Sequence, residues 1–205
     1  MLPDAFRKIR GGAKRALVLS LLTPLAPMTA QAQSAPTFQI DPASTVGFSV
    51  DASVSVNGTF DKWNTTLTFT SANAASGVLD IKIQAASVDT GSGLKDRKLK
   101  GDDFFAAAQH PLITFHSTGV RKTGADSFAM DGDFTMRGVT KHETLFLTVA
   151  SAGTGSGDVK GTMEFNRKDY GVNGSIPLVR IADRVQVKVD LKVKRTSGPA
   201  LTFTN

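Results

Sequence analysis

A strict alternation of apolar and polar residues near the C-terminal end constrains the fold more than any other feature of this chain. From residue 185 to residue 193 every odd position is Val or Leu, and every even position is Gln, Lys or Asp. Successive side chains of a β-strand point to opposite faces, so this pattern predicts a strand with one buried and one solvated face. An amphipathic helix would instead require apolar residues three and four positions apart.

The same alternation recurs along the chain from residue 38 onward. Apolar residues of shared parity stand at Val46, Phe48 and Val50; Leu67 and Phe69; Leu79, Ile81 and Ile83; Ile113 and Phe115; Phe128, Met130, Phe134 and Met136; Leu145, Leu147 and Val149; and Met163 and Phe165. Segments rich in Gly, Asn and Ser, which favour turns, separate these stretches. The sequence therefore predicts an all-β domain of about eight antiparallel strands.

Strands that each carry one apolar face must bury these faces together. Two sheets can stack into a sandwich, or one sheet can close into a barrel, which also removes the exposed edges. Alternating stretches of about ten residues favour the barrel, as does glycine at Gly47, Gly132 and Gly161, which we expect to point inward. We therefore predict an eight-stranded antiparallel β-barrel rather than a sandwich.

One segment, 93–109, does not alternate and ends before Pro111. Asp102 is a residue type that favours the N-cap of a helix, and alanines follow it. We predict a short helix that begins at Asp102, makes its apolar contacts through Phe104 and Phe105, and caps one mouth of the barrel.

The first 32 residues differ in character from the rest of the chain. They hold five basic residues and one acidic residue, then an apolar run at 16–26 and the small-residue site Ala30-Gln31-Ala32. This order predicts a cleaved secretory signal peptide at 1–32 and a mature domain at 33–205, exported to a bacterial periplasm. The chain has no Cys, so we expect neither disulfides nor an N-terminal lipid anchor.

The net charge of +6 belongs mostly to this leader, because residues 33–205 hold 19 basic and 17 acidic residues. Nucleic acid is therefore not an expected partner. The three His residues form no metal-binding spacing, and no nucleophile elbow or phosphate loop is present in the sequence. A lipid-modifying enzyme that used Tyr170, Arg167 and a carboxylate would lack a general base. We expect no enzymatic activity and no cofactor.

Phe accounts for 13 of the 15 aromatic residues. A barrel lined by Phe48, Phe60, Phe69, Phe115, Phe134 and Phe165 would have an apolar interior with few polar anchors. Such residues can fill a core completely, and an eight-stranded barrel can also hold one small ligand. Composition alone leaves both readings open.

Two polar features have alternative readings. Arg167 shares the parity of Met163 and Phe165, so its guanidinium either meets an anionic head group at the cavity or pairs with an acid such as Asp169 to fasten a turn. The basic residues between Lys95 and Lys100 form either a solvated helix face or a surface attracted to anionic lipid head groups.

An ordered series of short motifs resembles the YceI-like polyisoprenoid-binding periplasmic proteins. The series comprises FQID at 38–41, STVGF at 44–48, GTFDKW at 58–63, ASVDTG at 86–91, DDFF at 102–105, PLITF at 111–115, GDFTMRGVTK at 132–141, NRKDYG at 166–171 and ADRV at 182–185. Each motif alone is weak. Their order from residue 38 to about residue 193 makes the resemblance specific.

The resemblance implies a lipocalin-like barrel whose interior holds a long amphiphile, either an isoprenoid (a prenyl quinone included) or a fatty acyl chain, with no cofactor and no catalytic residues. Carried onto this chain, the ligand-binding positions are Phe48, Phe60, Phe69, Ile81, Phe104, Phe105, Ile113, Phe115, Phe134, Phe165, Arg167 and Tyr170. The protein would serve as a carrier, buffer or sensor, with transient contact to a membrane surface. A stress-response or interaction protein with a filled core is the alternative, and the sequence leaves a homodimer open.

Overall fold

The computed structural model describes residues 35–53, 55–150, 155–176 and 178–203. The predicted signal peptide at 1–32 lies outside the described residues. The strands of the described part are β1 Thr37–Ile40, β2 Thr45–Ala52, β3 Val56–Phe60, β4 Trp63–Thr68, β5 Val78–Gln84, β6 Val88–Asp89, β7 Leu112–Lys122, β8 Ser127–Met136, β9 Val139–Ala150, β10 Ser156–Asn166 and β11 Ile181–Ser197. One α-helix, α1, spans Gly93–Lys100, and short 3-10 helices occupy Ala74–Ser76, Ala85–Ser87 and Arg167–Tyr170.

All eleven strands belong to one antiparallel sheet, in the order β4-β5-β7-β8-β9-β10-β11-β2-β3-β6, with β1 paired to β11 off this path. The sheet is strongly curled. Its two end regions come together because β3, near one end of the order, is joined to β4, at the other end, by only Asp61 and Lys62. Backbone hydrogen bonds cross at this point, from Asp61 N to Ser87 O at 3.0 Å and from Gln84 N to Lys62 O at 2.9 Å.

The predicted all-β class and antiparallel pairing are confirmed, but the prediction of eight strands is wrong. Three stretches of extended chain are each interrupted and form two strands: β1 with β2, β3 with β4, and β5 with β6. Strands β1 and β2 pair one after the other with β11, while β3 pairs with β6 and β4 with β5. The break between β1 and β2 is a turn in which Ser44 N donates to Asp41 O at 3.0 Å. Such short interruptions leave the alternation of the flanking residues almost intact, so the sequence pattern does not reveal them.

The short helix is confirmed, but its predicted position is wrong. Helix α1 ends at Lys100, and the segment 101–109 that follows is a series of turns rather than a helix that begins at Asp102. Ala106 adopts a left-handed φ of 48°, which a continuous helix does not allow. The Asp102 carboxylate accepts a hydrogen bond from Gln109 Nε2 at 3.0 Å instead of capping a helix.

A tight hairpin joins β8 to β9 and supports the 101–109 segment. Arg137 and Gly138 have φ of 52° and 74°, the left-handed pair that a two-residue hairpin requires. From this turn Arg137 Nη1 donates to the carbonyl oxygens of Asp102 at 2.5 Å and Phe104 at 2.6 Å. The hairpin therefore fixes the backbone on which Phe104 and Phe105 are carried.

The apolar face of the curled sheet encloses one hydrophobic core. The residues predicted to point inward on β2, β5, β7, β8, β9 and β10 are buried, with only Val149 partly so. Gly132 and Gly161 share that face, whereas Gly47 alternates with buried Val46 and Phe48, so a side chain at this position would point to the outer face, against the prediction. Among the described residues, no helix has both the length and the apolar character that a bilayer span needs.

Candidate functional site

A cavity of about 590 Å³ lies inside the curled sheet, between its inner face, α1 and the segment that follows β10. The cavity is lined by Val46, Gly47, Phe48, Val50, Val56, Phe60, Ile83, Leu94, Lys95, Lys98, Leu99, Phe104, Phe105, Ile113, Phe134, Met136, Phe165, Arg167, Val172, Ile176, Val179, Ile181, Val185 and Val187. Three of these residues are basic and the rest are apolar or glycine. A pocket of this size and character is typical of a small-molecule or lipid site.

A packed layer closes the inner end of the cavity. Ile81, Phe115, Leu145 and Met163 are all at most 5 % exposed and surround a residual void of only about 20 Å³. Beyond this layer a second apolar cavity of about 120 Å³ is lined by Phe38, Phe69 and Phe203, among others. The interior is therefore neither a continuous tube nor completely filled.

Two aromatic clusters form opposite walls of the larger cavity. Phe48, Phe60 and Phe105 lie with ring centroids 5.7 to 6.1 Å apart. Phe134 and Phe165, 5.1 Å apart, form the other wall. These are the tilted and edge-to-face geometries that aromatic pairs favour, so the walls are rigid apolar surfaces.

Two glycines allow rings of these walls to lie against the backbone. A methyl group on Gly58 would come within 2.7 Å of the Phe48 ring. A methyl group on Gly174 would come within 2.5 Å of the Phe104 ring. Both rings can occupy these positions, and so give the cavity its shape, because the two glycines have no side chain.

Tyr170 stands behind the second wall rather than in the cavity. Its ring is fully buried, and its centroid lies 5.3 Å from that of Phe134 and 5.1 Å from that of Phe165. The hydroxyl donates to Glu143 Oε1 at 2.7 Å. Burial, and then this hydrogen bond, raise the pKa of Tyr170 far above its ordinary value, which keeps the phenol neutral. Tyr170 therefore supports the wall as a packed, hydrogen-bonded residue.

Arg167 contributes its side chain to the cavity wall, but its guanidinium is already bound. Nε donates to Ala182 O at 3.0 Å, and Nη1 donates to Val172 O at 2.8 Å and Gly174 O at 3.1 Å. Nη2 contacts Asp183 Oδ1 at 3.2 Å. The structure thus agrees with the reading in which Arg167 pairs with an acid and fastens a turn, although the acid is Asp183 and not Asp169.

The mouth of the cavity carries the remaining cations. Lys98 Nζ lies 3.4 Å from Asp103 Oδ2 and 5.6 Å from the centroid of the Phe104 ring. Lys95 is exposed and makes no ion pair among the described residues. Both belong to α1, which holds its position through the Asp96 carboxylate, the acceptor of bonds from Thr90 N at 2.9 Å and Thr90 Oγ1 at 2.7 Å.

The structure brings together eight of the twelve predicted site residues. Phe48, Phe60, Phe104, Phe105, Ile113, Phe134, Phe165 and Arg167 line the larger cavity. The other four do not line it: Ile81 and Phe115 lie in the packed layer, Phe69 lines the smaller cavity, and Tyr170 stands behind the wall.

Sequence reasoning missed the lining that comes from outside the alternating strands. Leu94 and Leu99 belong to α1, and Val172, Ile176 and Val179 belong to the segment between β10 and β11. The apolar residues of these segments follow neither a strand nor a helix period, so the sequence carries no periodic signal for them. Val50, Val56, Val185 and Val187 lie on inner strand faces, where alternation could have found them.

The His residues of the sheet lie on its outer face, away from the cavity. Asp80, His116, Asp133 and His142 are cross-strand neighbours in a row over β5, β7, β8 and β9. His116 Nδ1 lies 2.6 Å from Asp80 Oδ1, and His142 Nδ1 lies 3.4 Å from Asp133 Oδ1. In the described part of the chain, no group of three or more His, Asp or Glu side chains is arranged to hold a metal ion.

Comparison with known proteins gives one matching family. The sequence model of the YceI-like domain matches residues 38–193. A UPF0312 protein of Pseudomonas syringae pv. tomato is 29 % identical over 133 residues, which cover 62 % of this chain and 69 % of that protein. Protein YceI of Escherichia coli O157:H7 is 41 % identical over 88 residues, or 43 % of this chain and 46 % of that protein.

Solved structures share the fold. Burkholderia cenocepacia BcnA is 28 % identical with a TM-score of 0.68, over 75 % of this chain and 99 % of BcnA. The Campylobacter jejuni YCEI protein is 27 % identical with a TM-score of 0.57, over 69 % of this chain and 85 % of that one. A polyisoprenoid binding domain from Saccharophagus degradans, implicated in plant cell wall breakdown, has a TM-score of 0.59 over 78 % of this chain and 99 % of that one. Its 15 % identity makes it a likeness of fold alone.

Proposed function

This chain belongs to the YceI-like domain family, and from that membership we propose that it is a non-enzymatic binding protein for an amphiphilic lipid. The apolar tail, of a polyisoprenoid, a prenyl quinone or a fatty acyl chain, occupies the larger cavity, with the curled sheet as the wall of a lipocalin-like barrel. The observation that carries the proposal is the cavity of about 590 Å³, lined by apolar side chains and bordered by lysines at its mouth.

The size of the cavity sets the scale of the tail. At about 30 Å³ for each water-sized group, 590 Å³ accommodates on the order of 20 such groups. Removing a methylene from water contributes about 0.8 kcal/mol, so a tail of this size gains on the order of 16 kcal/mol before the loss of motional freedom is subtracted. Association costs of about 4–15 kcal/mol offset much of this gain, and apolar burial remains the largest favourable contribution to binding.

The polar groups around the cavity support binding rather than catalysis. Among the described cavity-lining residues there is no Ser, Cys, His, Asp or Glu, and the only side chains of a type that can act as nucleophile or general base are Lys95 and Lys98 at the mouth. The Tyr170 phenol is held neutral and hydrogen-bonded, and the Arg167 guanidinium donates four hydrogen bonds, to three backbone carbonyls and to Asp183.

The head group of the bound lipid lies at the mouth, close to Lys95 and Lys98 of α1. Both side chains can donate to a phosphate, carboxylate or quinone oxygen. This placement leaves the tail toward the packed layer and the polar end toward solvent.

Export by the leader at 1–32 would place the protein in a bacterial periplasm, where it acts as a carrier, buffer or sensor for lipid. The alternative of a filled core, with an interaction or stress-response role, is disfavoured by the volume of the larger cavity.

Native mass spectrometry of gently purified protein tests the proposal. We expect one lipid per chain in the parent and in Val149→Trp, whose new ring enters the smaller cavity. Val50→Trp places the same ring in the larger cavity and should release the lipid while the protein stays folded by circular dichroism. Repeated recovery of empty parent protein, together with no uptake of added fatty acid, would refute the proposal.

A further inference from the structure

The exposed large apolar residues are concentrated at one end of the molecule. Five are found among the described residues: Leu94, Leu112, Val139, Phe146 and Leu178. Leu94 lines the mouth of the larger cavity, and Leu178 belongs to the segment that contributes Ile176 and Val179 to it. Leu112, on the outer face at the start of β7, and Val139, at the start of β9, lie at strand ends next to the lining residues Ile113 and Met136. Phe146 lies farther along β9, on the outer face.

Leu178 has no packing role that would explain a large apolar side chain. It is fully exposed, and its φ of 65° lies in the left-handed region, which favours Gly or Asn over Leu. Leu94 is 73 % exposed on α1. Both side chains project apolar surface into solvent next to the cavity mouth.

The same end carries cations without acidic partners. Lys95, Arg97 and Lys100 of α1, and Arg180 beside Leu178, make no ion pair among the described residues. By contrast, nearby Lys141 and Lys168 are paired with Asp169 and Asp183. Four acids of this end lack an ion pair in the described part, Asp51, Asp96, Asp102 and Glu143, against five such cations when Arg137 is counted, so positive charge remains in slight excess.

We propose that this end, the mouth rim defined by Leu94, Leu112, Val139, Leu178 and the cations Lys95, Arg97, Lys100 and Arg180, docks onto an anionic lipid bilayer. The inference rests on the proposed lipid-binding function and names the surface from which the lipid is taken or to which it is delivered. Leucines inserted among head groups, with basic side chains on anionic phosphates, form the usual combination for peripheral membrane binding. The tail then passes between bilayer and cavity without crossing water.

A bilayer fits the mouth rim better than a second copy of this chain. A two-fold contact through the same surface would bring Arg97, Lys100 and Arg180 of one copy close to those of the other. Such a contact would place like charges together, whereas anionic head groups neutralise them.

Vesicle co-sedimentation tests the docking with residues that do not line the cavity. The rim variant combines Leu178→Ser, Arg97→Gln and Arg180→Gln, and the wall variant combines Phe146→Ser, Lys160→Gln and Lys188→Gln on the outer face. The probes are vesicles of equal parts phosphatidylglycerol and phosphatidylcholine, and vesicles of phosphatidylcholine alone. We expect the parent and the wall variant to bind the anionic vesicles, and the rim variant to bind them at least tenfold more weakly.

Uptake of a fluorescent fatty acid in vesicle-free buffer separates this inference from the proposed function. Equal uptake by parent and rim variant, with vesicle binding lost only in the rim variant, supports docking. Three results overturn it: vesicle binding that the rim variant retains, equal binding to both vesicle types, or parent dimerisation that the rim variant abolishes. If the parent takes up fatty acid but binds neither vesicle type, docking is also overturned, while the lipid-binding function stands. A parent that docks but takes up no fatty acid contradicts the function instead.

Discussion

At the scale of single residues, Arg167 shows how a cation beside a lipid-sized cavity can be structural. Its guanidinium is buried and donates to three backbone carbonyls and to Asp183. Sequence parity placed this side chain correctly on the inner face of the sheet. It could not show that the backbone carbonyls of Val172 and Gly174 accept hydrogen bonds from the guanidinium, because the segment 172–174 has no periodic pattern.

Replacement of Arg167 by Met should destabilise the fold. The variant leaves the carbonyls of Val172, Gly174 and Ala182 without their donor, and we expect a loss of about 3 kcal/mol in the free energy of unfolding, measured in urea. Arg184→Met is the control, because Arg184 pairs with Glu164 on the surface and is expected to contribute less than about 1 kcal/mol. Similar losses in both variants would contradict the structural role of Arg167.

Gly132 should tolerate no side chain. An added methyl group would lie 2.5 Å from His116 O and 2.9 Å from the Cα of Ser117, and backbone atoms cannot move aside cheaply. We expect Gly132→Ala to lower the free energy of unfolding by about 1–3 kcal/mol. Gly119→Ala, on the paired strand, meets open space and should be neutral or slightly stabilising. The melting temperatures of the two variants, compared with that of the parent, test this expectation.

Asp183 should contribute to acid sensitivity. The hydrogen bond from Lys168, with Arg167 nearby, holds the pKa of Asp183 below its usual 3.8. A lowered pKa in the folded state means that the stabilisation is complete above the unfolded-state pKa and is lost as pH falls through the folded-state value. We expect the melting temperature of Asp183→Asn to fall less steeply than that of the parent below about pH 4. Asp158→Asn, an exposed acid without an ion pair in the described part, should follow the parent curve.

At the scale of elements, alternation predicted the strands well, and the capping region poorly. The side chains of β11 alternate between the core and the outer face because successive residues of a strand point to opposite faces, and pairing on both edges, with β10 and with β1 and β2, keeps the strand extended. Helix α1 buries no residue and is held by the Asp96–Thr90 bonds, so its sequence carries no amphipathic pattern. The turns at 101–109 depend on Arg137, which is more than 30 residues away along the chain.

Arg137→Met should loosen the capping segment without unfolding the sheet. Loss of the bonds to the carbonyls of Asp102 and Phe104 is expected to speed amide hydrogen exchange in residues 101–107 by about tenfold, while β8 and β9 exchange as in the parent. Arg121→Met, which removes the exposed pair with Asp131 on the same sheet, should leave 101–107 unchanged. If hydrogen exchange of residues 101–107, measured by mass spectrometry, is the same in both variants, the proposed role of Arg137 is wrong.

At the scale of the whole molecule, two unequal cavities share one interior. The sequence predicted an apolar interior and most of its strand-borne lining, but not the packed layer of Ile81, Phe115, Leu145 and Met163. Parity assigns a side chain to the inner face. How far opposite side chains interdigitate depends on the curvature of the sheet, which no single strand encodes.

The packed layer should limit the length of the bound tail. For a series of fatty acids, we expect affinity to rise with chain length up to about 20 carbons and then to level off. Met163→Ala opens the layer and should extend the rise to longer chains, whereas Met130→Ala, which enlarges only the smaller cavity, should not. Each substitution is expected to cost about 2–5 kcal/mol of stability. An unchanged length limit in Met163→Ala would refute the role of the layer.

The pairing of β1 with the last residues of β11 places both at the same end of the molecule. Thr37 is the cross-strand partner of Ser197, and Phe38 and Phe203 both line the smaller cavity, at the pole opposite the basic helix. Both ends of the described chain therefore lie around the smaller cavity, at the pole away from the opening. A fusion partner or surface tether joined at either end would leave the entrance unobstructed and turned toward the surroundings.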